Sequence, residues 1–462
     1  MGRIFEINIF FFSICIQMSC NNLDDFDKDQ NNNLNEENCI ICNQETYQIN
    51  INTNGKDIVD EPKIRSSINI RKNDSLIYLG IIGIEIRGES SQYFDKKSYG
   101  FETWNDSNED IDVSLLGFPE EEDWILHGPF SDKSLIRNML IYELSNGIGR
   151  YASRTEFVEL SINSQYKGLY IFMEKLKRDK NRINISKLEE NETEEDKISG
   201  GYIIKIDKSD MEDGSYTEFN SFKSEYDVFG KKSNSNSIYF NYEYPKPSLI
   251  NNKQKEYIKN YIKEFEESLS SDQFQDPIIG FRKYIDYDSF IDFFILNELS
   301  NNIDGYRLST YLHKDRNQKL KIGPIWDFNL SFGNADYCGG ERYDVWCFKF
   351  NERCLGDYWN VPFWWNKLLE DEKFVNKLKN RWLYLRSNLL SDQSLEELIN
   401  KKYDILYNRT GAAKRNFDRW EILENYIWPN SYVGGNYYNE IEFLKNWIKN
   451  RTLWLDESIN DL

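Results

Sequence analysis

Apolar side chains recur at every second position through the first half of this chain and at every third or fourth position through the second. That change of period constrains the fold class more than any other feature. Segments 47–52, 64–70, 81–87, 98–102, 157–162, 168–174 and 202–206 alternate as half-buried strands do, and Asn54-Gly55 is a tight-turn signal between the first two. One helix interrupts them: Asp132 reads as its N-cap, Leu135, Ile136, Met139, Leu140, Tyr142 and Leu144 follow at helical spacing, and Gly147 and Gly149 end the run. From about Lys253 the pattern turns helical, over 257–269, 285–299, 373–389 and 394–407. Strands first and helices second predict an α+β fold. The expected division is a mostly antiparallel sheet lobe over about 46–250 and a mainly helical lobe over about 251–462.

The chain has enough apolar bulk for a large core: 12 Trp, 30 Tyr and 29 Phe among 462 residues are far more than a disordered chain carries. Its formal charge of −20 repels phosphate backbones and argues against nucleic acid as the main partner. An apolar run over 9–16, followed by Met18-Ser19-Cys20, is too short to span a bilayer and reads as a secretory signal over 1–20. Cys20 after a small residue is then the expected site of a lipid anchor, 21–45 a polar tether, and the outer membrane or cell surface the expected location. Cys39 and Cys42 have half the spacing of a zinc or redox site without a second pair, so a local disulfide or two free thiols is the simpler reading. Among Cys338, Cys347 and Cys354 one disulfide is expected, with the pairing left open. A polar stretch over 233–237 reads as a surface loop. There is no internal repeat.

The helix ending at Leu299 runs through Ser300-Asn301-Asn302-Ile303-Asp304-Gly305-Tyr306 into a predicted hairpin, 308–313 and 320–326, that ends at Asp327. A chain that goes out, turns and returns brings Asp304 and Asp327 to the same end. Phosphoryl transfer needs a metal against the phosphates, a group orienting the attacking hydroxyl, and positive charge on the nucleotide, and two such acids meet the first two needs. Turn chemistry alone explains acidic residues beside a hairpin equally well.

The neighbours decide between these readings. Ile86-Arg87-Gly88-Glu89-Ser90-Ser91, Lys96-Lys97-Ser98-Tyr99, Ser131-Asp132-Lys133-Ser134-Leu135-Ile136-Arg137-Asn138, Tyr166-Lys167-Gly168-Leu169-Tyr170, Asn301 to Tyr306, and Gly323-Pro324-Ile325-Trp326-Asp327-Phe328-Asn329-Leu330-Ser331-Phe332-Gly333 together resemble the CotH family of atypical kinases. The resemblance extends over roughly 50–460, to Leu444-Lys445-Asn446-Trp447-Ile448, Arg451 and Trp454-Leu455-Asp456. It implies a two-lobed kinase-like fold, ATP with Mg2+ or Mn2+, and a protein partner phosphorylated on Ser or Thr. Carried over by position, Asp304 resembles the catalytic acid and Asp327 the metal-binding one.

Further roles are expectations from placement. Lys96 or Lys97, on a strand before the Asp132 helix, is where a kinase neutralises phosphate, and Arg87, Ser90 and Ser91 lie in the turn that would cover the phosphates. Arg137 and Asn138 face the expected cleft, Glu143 is an alternative lysine partner, and Glu174 lies near the expected adenine hinge. Departures are the lack of a His-Arg-Asp sequence and of a glycine-repeat loop, with Asn329 where many members of the family carry Asp. Asn coordinates through a neutral oxygen and so lowers metal affinity. Ser309 stands where ordinary kinases place a metal-binding Asn, a role for which Asn301 or Asn302 is the expected substitute. Two rival readings accompany this one: a non-catalytic kinase-fold scaffold at the surface, and a carbohydrate-active protein whose acids need no nucleotide. His127 and His313 read as structural.

Overall fold

The computed structural model describes residues 46–211, 213–233 and 238–462. The signal, Cys20, the tether, Cys39 and Cys42, and most of the 233–237 loop fall outside the described residues. None of the described helices is long and apolar enough to cross a membrane.

Residues 46–174 build a closed barrel from β1 (Tyr47–Asn52), β2 (Ile64–Lys72), β3 (Ser75–Arg87), β4 (Ser98–Trp104), β5 (Asp123–His127), β6 (Thr155–Ile162) and β7 (Gln165–Glu174), in the order β1-β2-β3-β4-β5-β7-β6. Every pairing is antiparallel except β1 with β6, which runs parallel with Ile49 opposite Leu160 and closes the ring. The alternation seen in the sequence now has a cause. Ile49, Ile51, Ile68, Ile70, Ile82, Ile84, Phe101, Trp124, Leu126, Leu160 and Phe172 point inward and fill the barrel, so it is a packed core rather than a channel. β5 escaped the sequence reading because five residues, Asp-Trp-Ile-Leu-His, show little alternation.

Helix α1 (Arg137–Gly147) leaves the barrel after β5. Asp132 does serve its start, from further upstream than a standard cap: its carboxylate accepts the backbone N–H of Ser134 at 3.1 Å and of Arg137 at 2.9 Å. Eight of the eleven residues of α1 are buried. The helix therefore lies inside the molecule rather than on its surface.

A second sheet is five-stranded, in the order β12-β11-β8-β10-β9, from β8 (Tyr202–Ile206), β9 (Ser221–Lys223), β10 (Tyr239–Tyr244), β11 (Thr310–Lys314) and β12 (Lys321–Ile322). It takes three strands from before residue 250 and two from after it, so the sheet itself crosses the position where the pattern changes. The expected strand over 320–326 is shorter than its hydrophobicity suggested, because Gly323 leaves the extended region (φ +105°) and Pro324 has no N–H for a ladder.

The helices α2 (Asn252–Ser270), α3 (Tyr287–Ser300), α4 (Glu372–Arg386), α5 (Asp392–Tyr403), α6 (Ala412–Arg419) and α7 (Tyr437–Asn460) enclose the largest apolar cluster. Twelve of the fourteen residues of α3 are buried, as in a helix covered on every side. It ends where Asn301 turns left-handed (φ +42°), and the chain passes directly to Asp304. At the end of α3, Glu298 pairs with Arg451 of α7 at 3.1 Å, both side chains fully buried. A disulfide joins Cys338 to Cys354, which leaves Cys347 free and buried.

Candidate active site

Strand register delivers the acids. β11 pairs with β8 so that Thr310 lies opposite Ile206. Residues just before β11 and just after β8 therefore meet at one sheet end, and the turn of the hairpin returns the chain to Asp327. A cleft of about 160 Å3 at this end is lined by Asp207, Asp304 and Asp327, by Arg87, Ser90 and Ser91 from the turn after β3, and by Asn138 and Tyr142 of α1. Lys208, Ser309 and Asn329 line it as well.

Each carboxylate is held by a different element. Asp304 accepts from Arg307 at 2.9 Å, and its own N–H is taken by Asn302 Oδ1 at 3.3 Å. Arg307 also reaches Asp357 at 3.3 Å, so one guanidinium is shared between two acids. Asp207 accepts from the backbone N–H of Lys208 at 2.9 Å. Asp327 adopts a left-handed backbone (φ +62°), and its N–H donates to the Tyr142 hydroxyl at 3.0 Å. The next N–H, of Phe328, donates to Asn138 Oδ1 at 2.7 Å.

The electrostatics show what the acids lack. The Asp327 side chain still meets water within the cleft, yet the surrounding walls displace bulk solvent and push its carboxyl up to about 7, with the charges of Asp304 and Asp207 adding to the rise. Burial pushes Asp207 up to about 6, against the opposing charge of Lys205. Asp304 is raised by burial despite Arg307 and Lys208 nearby. Asp327 is thus the acid whose charge both neighbouring carboxylates oppose. Arg87 supplies positive charge that acts on Asp327, with its guanidinium 5.6 Å from the centre of the Trp326 ring. His127 also lines the cleft; burial pushes it down to about 4, so it is neutral at pH 7, 3.3 Å from the Asn138 amide nitrogen.

The structure brings Asp304, Asp327, Asn329, Arg87, Ser90 and Ser91 together. It places the other candidates elsewhere. Lys96 points into the protein, where its ammonium donates to Leu169 O at 2.6 Å and Asn416 Oδ1 at 2.8 Å, and so ties the barrel to α6. Lys97 closes the turn before it, donating to Gln92 O and Phe94 O at 2.6 Å each. Arg137 is buried against Asp132 and donates to Ser331 O at 3.1 Å, which fastens the loop after Asp327 instead of facing the cleft. Glu174 is buried in a pair with Arg154 and accepts from the Tyr151 hydroxyl at 3.1 Å. Asn302 orients Asp304 from behind and does not line the cleft, and Asn301 is bonded to Gly339 O and Arg342 O at 2.9 Å. Glu143 pairs with Lys402 rather than with either candidate lysine. Asp207, Lys208, Tyr142 and Arg307 escaped the sequence reading. For Asp207 and Lys208 a signal was present, an Asp-Lys pair directly after the recognised strand 202–206.

A tighter acidic group exists at Asp112, Glu121 and Glu122, whose carboxylate oxygens lie within 4.8 Å of one another. Lys177 already occupies it, 2.8 Å from Glu121 and 2.5 Å from Glu122.

Fold and site together define an α+β protein whose cleft gathers three carboxylates and an arginine. Over residues 84–455 the sequence matches the family described as CotH kinase protein, and the chain belongs to that family. No curated protein matches it. Membership points to a kinase-like enzyme.

Proposed function

We propose that this protein transfers a phosphoryl group from ATP to Ser or Thr of a protein acceptor, on a scaffold equivalent to a two-lobed kinase. The observation that carries the reading is the delivery of Asp304 and Asp327, from the two ends of one hairpin, to a single cleft.

In this reading Asp304, fixed by Arg307 and by Asn302, orients the acceptor hydroxyl and takes its proton. Asp327, Asn329 and Asp207 fit a hard divalent cation, since all three offer oxygen and the carboxylates are poorly compensated without one. Bound Mg2+ or Mn2+ would neutralise charge developing on the phosphates. Asn329 brings no charge, and Asp207 supplies the carboxylate that this position lacks. Arg87, Ser90 and Ser91 line the wall that would receive the phosphates. Gly88 permits that turn: its φ is +97°, and a Cβ there would lie 2.0 Å from Ser91 Oγ. With Lys96 and Lys97 committed to backbone carbonyls, Arg87 and Lys208 are the cations of the site.

Calorimetry of ATP binding tests this reading. The wild type is expected to bind ATP with Mg2+ or Mn2+ and to bind it at least tenfold more weakly after chelation. Failure to bind ATP under either condition contradicts it. The scaffold reading rests on Asn329 and on the expected location outside the cytoplasm, and expects no ATP binding.

A further inference from the structure

Tyr142 has an unusual position. Its ring is 1% exposed and stacks on Trp326 with centroids 6.2 Å apart and planes inclined by 15°, yet the residue lines the cleft. A phenol offers one O–H donor besides its acceptor lone pairs. The Asp327 N–H uses a lone pair at 3.0 Å, and among the described residues no acceptor takes the hydroxyl's own proton. A phenol keeps its proton at neutral pH. A buried donor without an acceptor is costly unless the bound state provides one.

The surroundings identify the chemistry of the missing acceptor. Tyr142, Arg87, Ser90 and Ser91, all side chains that carry donors, line the same cleft as Asp207, Asp304 and Asp327. A cleft that combines donors with carboxylates suits an anionic oxygen held with a cation. Resting on the phosphotransfer reading above, we propose that Tyr142 is a binding residue whose O–H donates to a phosphate oxygen of the nucleotide. The same oxygen accepts the Asp327 N–H, so phosphate and the metal-side acid lie at two ends of one hydrogen-bonded chain and strengthen each other's alignment. Asn138 is a positioning residue in this arrangement. It accepts the Phe328 N–H at 2.7 Å and, with Tyr142, holds Asp327 in a backbone conformation that few non-glycine residues adopt.

Tyr142→Phe in the full chain keeps the ring and removes only the hydroxyl. Binding of ATP with Mg2+, of inorganic tripolyphosphate and of adenosine is measured by calorimetry, with thermal unfolding alongside. The expected result is about tenfold weaker binding of ATP and tripolyphosphate, unchanged adenosine binding and an unfolding midpoint close to that of the wild type. ATP binding within twofold of wild type overturns the assignment, as does an equal loss for adenosine. If the variant fails to fold, wild-type protein labelled at tyrosine Cζ decides: tripolyphosphate is expected to shift one tyrosine resonance that adenosine does not, and no such shift contradicts the assignment. A wild type that binds neither ATP nor tripolyphosphate defeats the phosphotransfer reading itself.

Discussion

Asp207 changes the meaning of Asn329. Read along the sequence, an amide two residues after Asp327 lowers the charge available to a metal; read in space, a third carboxylate lies in the same cleft. Asp207→Asn is therefore expected to raise the Mn2+ concentration for half-maximal phosphotransfer by about tenfold while leaving the fold intact, which a metal titration checks. Asp304 and Asp327 were legible because a hairpin fixes where its two ends lie. Asp207 left a weaker signal, an acid directly after a recognised strand, which turn chemistry explains equally well until strand pairing shows what it meets. Lys96 fails in the opposite direction. Alternation places it on a strand face, but the partner that binds it, Asn416, lies 320 positions away.

Glu266 offers a test at the same scale, away from the cleft. It is 1% exposed, accepts from Ser224 at 2.7 Å and Trp364 at 3.0 Å, and burial pushes its carboxyl up to about 7. A carboxyl whose folded value exceeds its unfolded one favours the native state fully below about pH 4, and that contribution is lost as pH rises through about 7. Glu266→Gln stays neutral and keeps a group able to bond both partners. Urea unfolding is expected to show the variant more stable than wild type at pH 8, on the order of 1–3 kcal/mol, with the advantage gone by about pH 4.

Among the elements, α7 matters to the site although it lies far from Asp304 in sequence. Arg451 donates to Glu298 O at 2.6 Å and to Tyr343 O and Val345 O at 2.8 and 2.6 Å. Glu298 in turn accepts from the Tyr306 hydroxyl at 3.0 Å and from the N–H groups of Cys347 and Phe348 at 2.8 and 2.9 Å. The residues on both sides of Asp304 thus hang on one buried ion pair. Removing one partner leaves an uncompensated charge, and Arg451→Met is expected to cost about 3–5 kcal/mol in denaturant unfolding, with Glu298→Gln in the same chain restoring part of it.

The Cys338–Cys354 bridge closes a loop over a separation of 16 residues, and that loop contains Tyr343, Val345 and Cys347, which contact the same pair. Cys354→Ser is expected to lower stability by about 3 kcal/mol by the loop-closure relation, as urea unfolding would show. Which two of the three cysteines pair was beyond sequence reasoning. Spacing allowed each choice, and burial of Cys347 beside Asn302 O, 3.0 Å from its sulfur, makes the selection.

At the scale of the whole molecule, the change of hydrophobic period indicated a mixed α+β fold but concealed two things. A barrel closes only if its first strand meets its sixth, and the parallel β1–β6 pairing that achieves this leaves no local mark. The second sheet joins strands from before and after the change of period, and the cleft lies where that joint meets the turn after β3. Long-range pairing of this kind depends on register, which sequence alternation constrains within a strand but not between strands 100 residues apart.

If one hairpin carries both acids of a phosphotransfer site, each acid is needed for transfer. Labelled phosphate is followed from ATP with Mn2+ to a generic protein acceptor, or to the chain itself, in wild type, Asp304→Ala and Asp327→Ala. Transfer by the wild type is expected, with a loss of at least a hundredfold in each variant and folding retained. Transfer that persists unchanged in both variants would contradict that assignment.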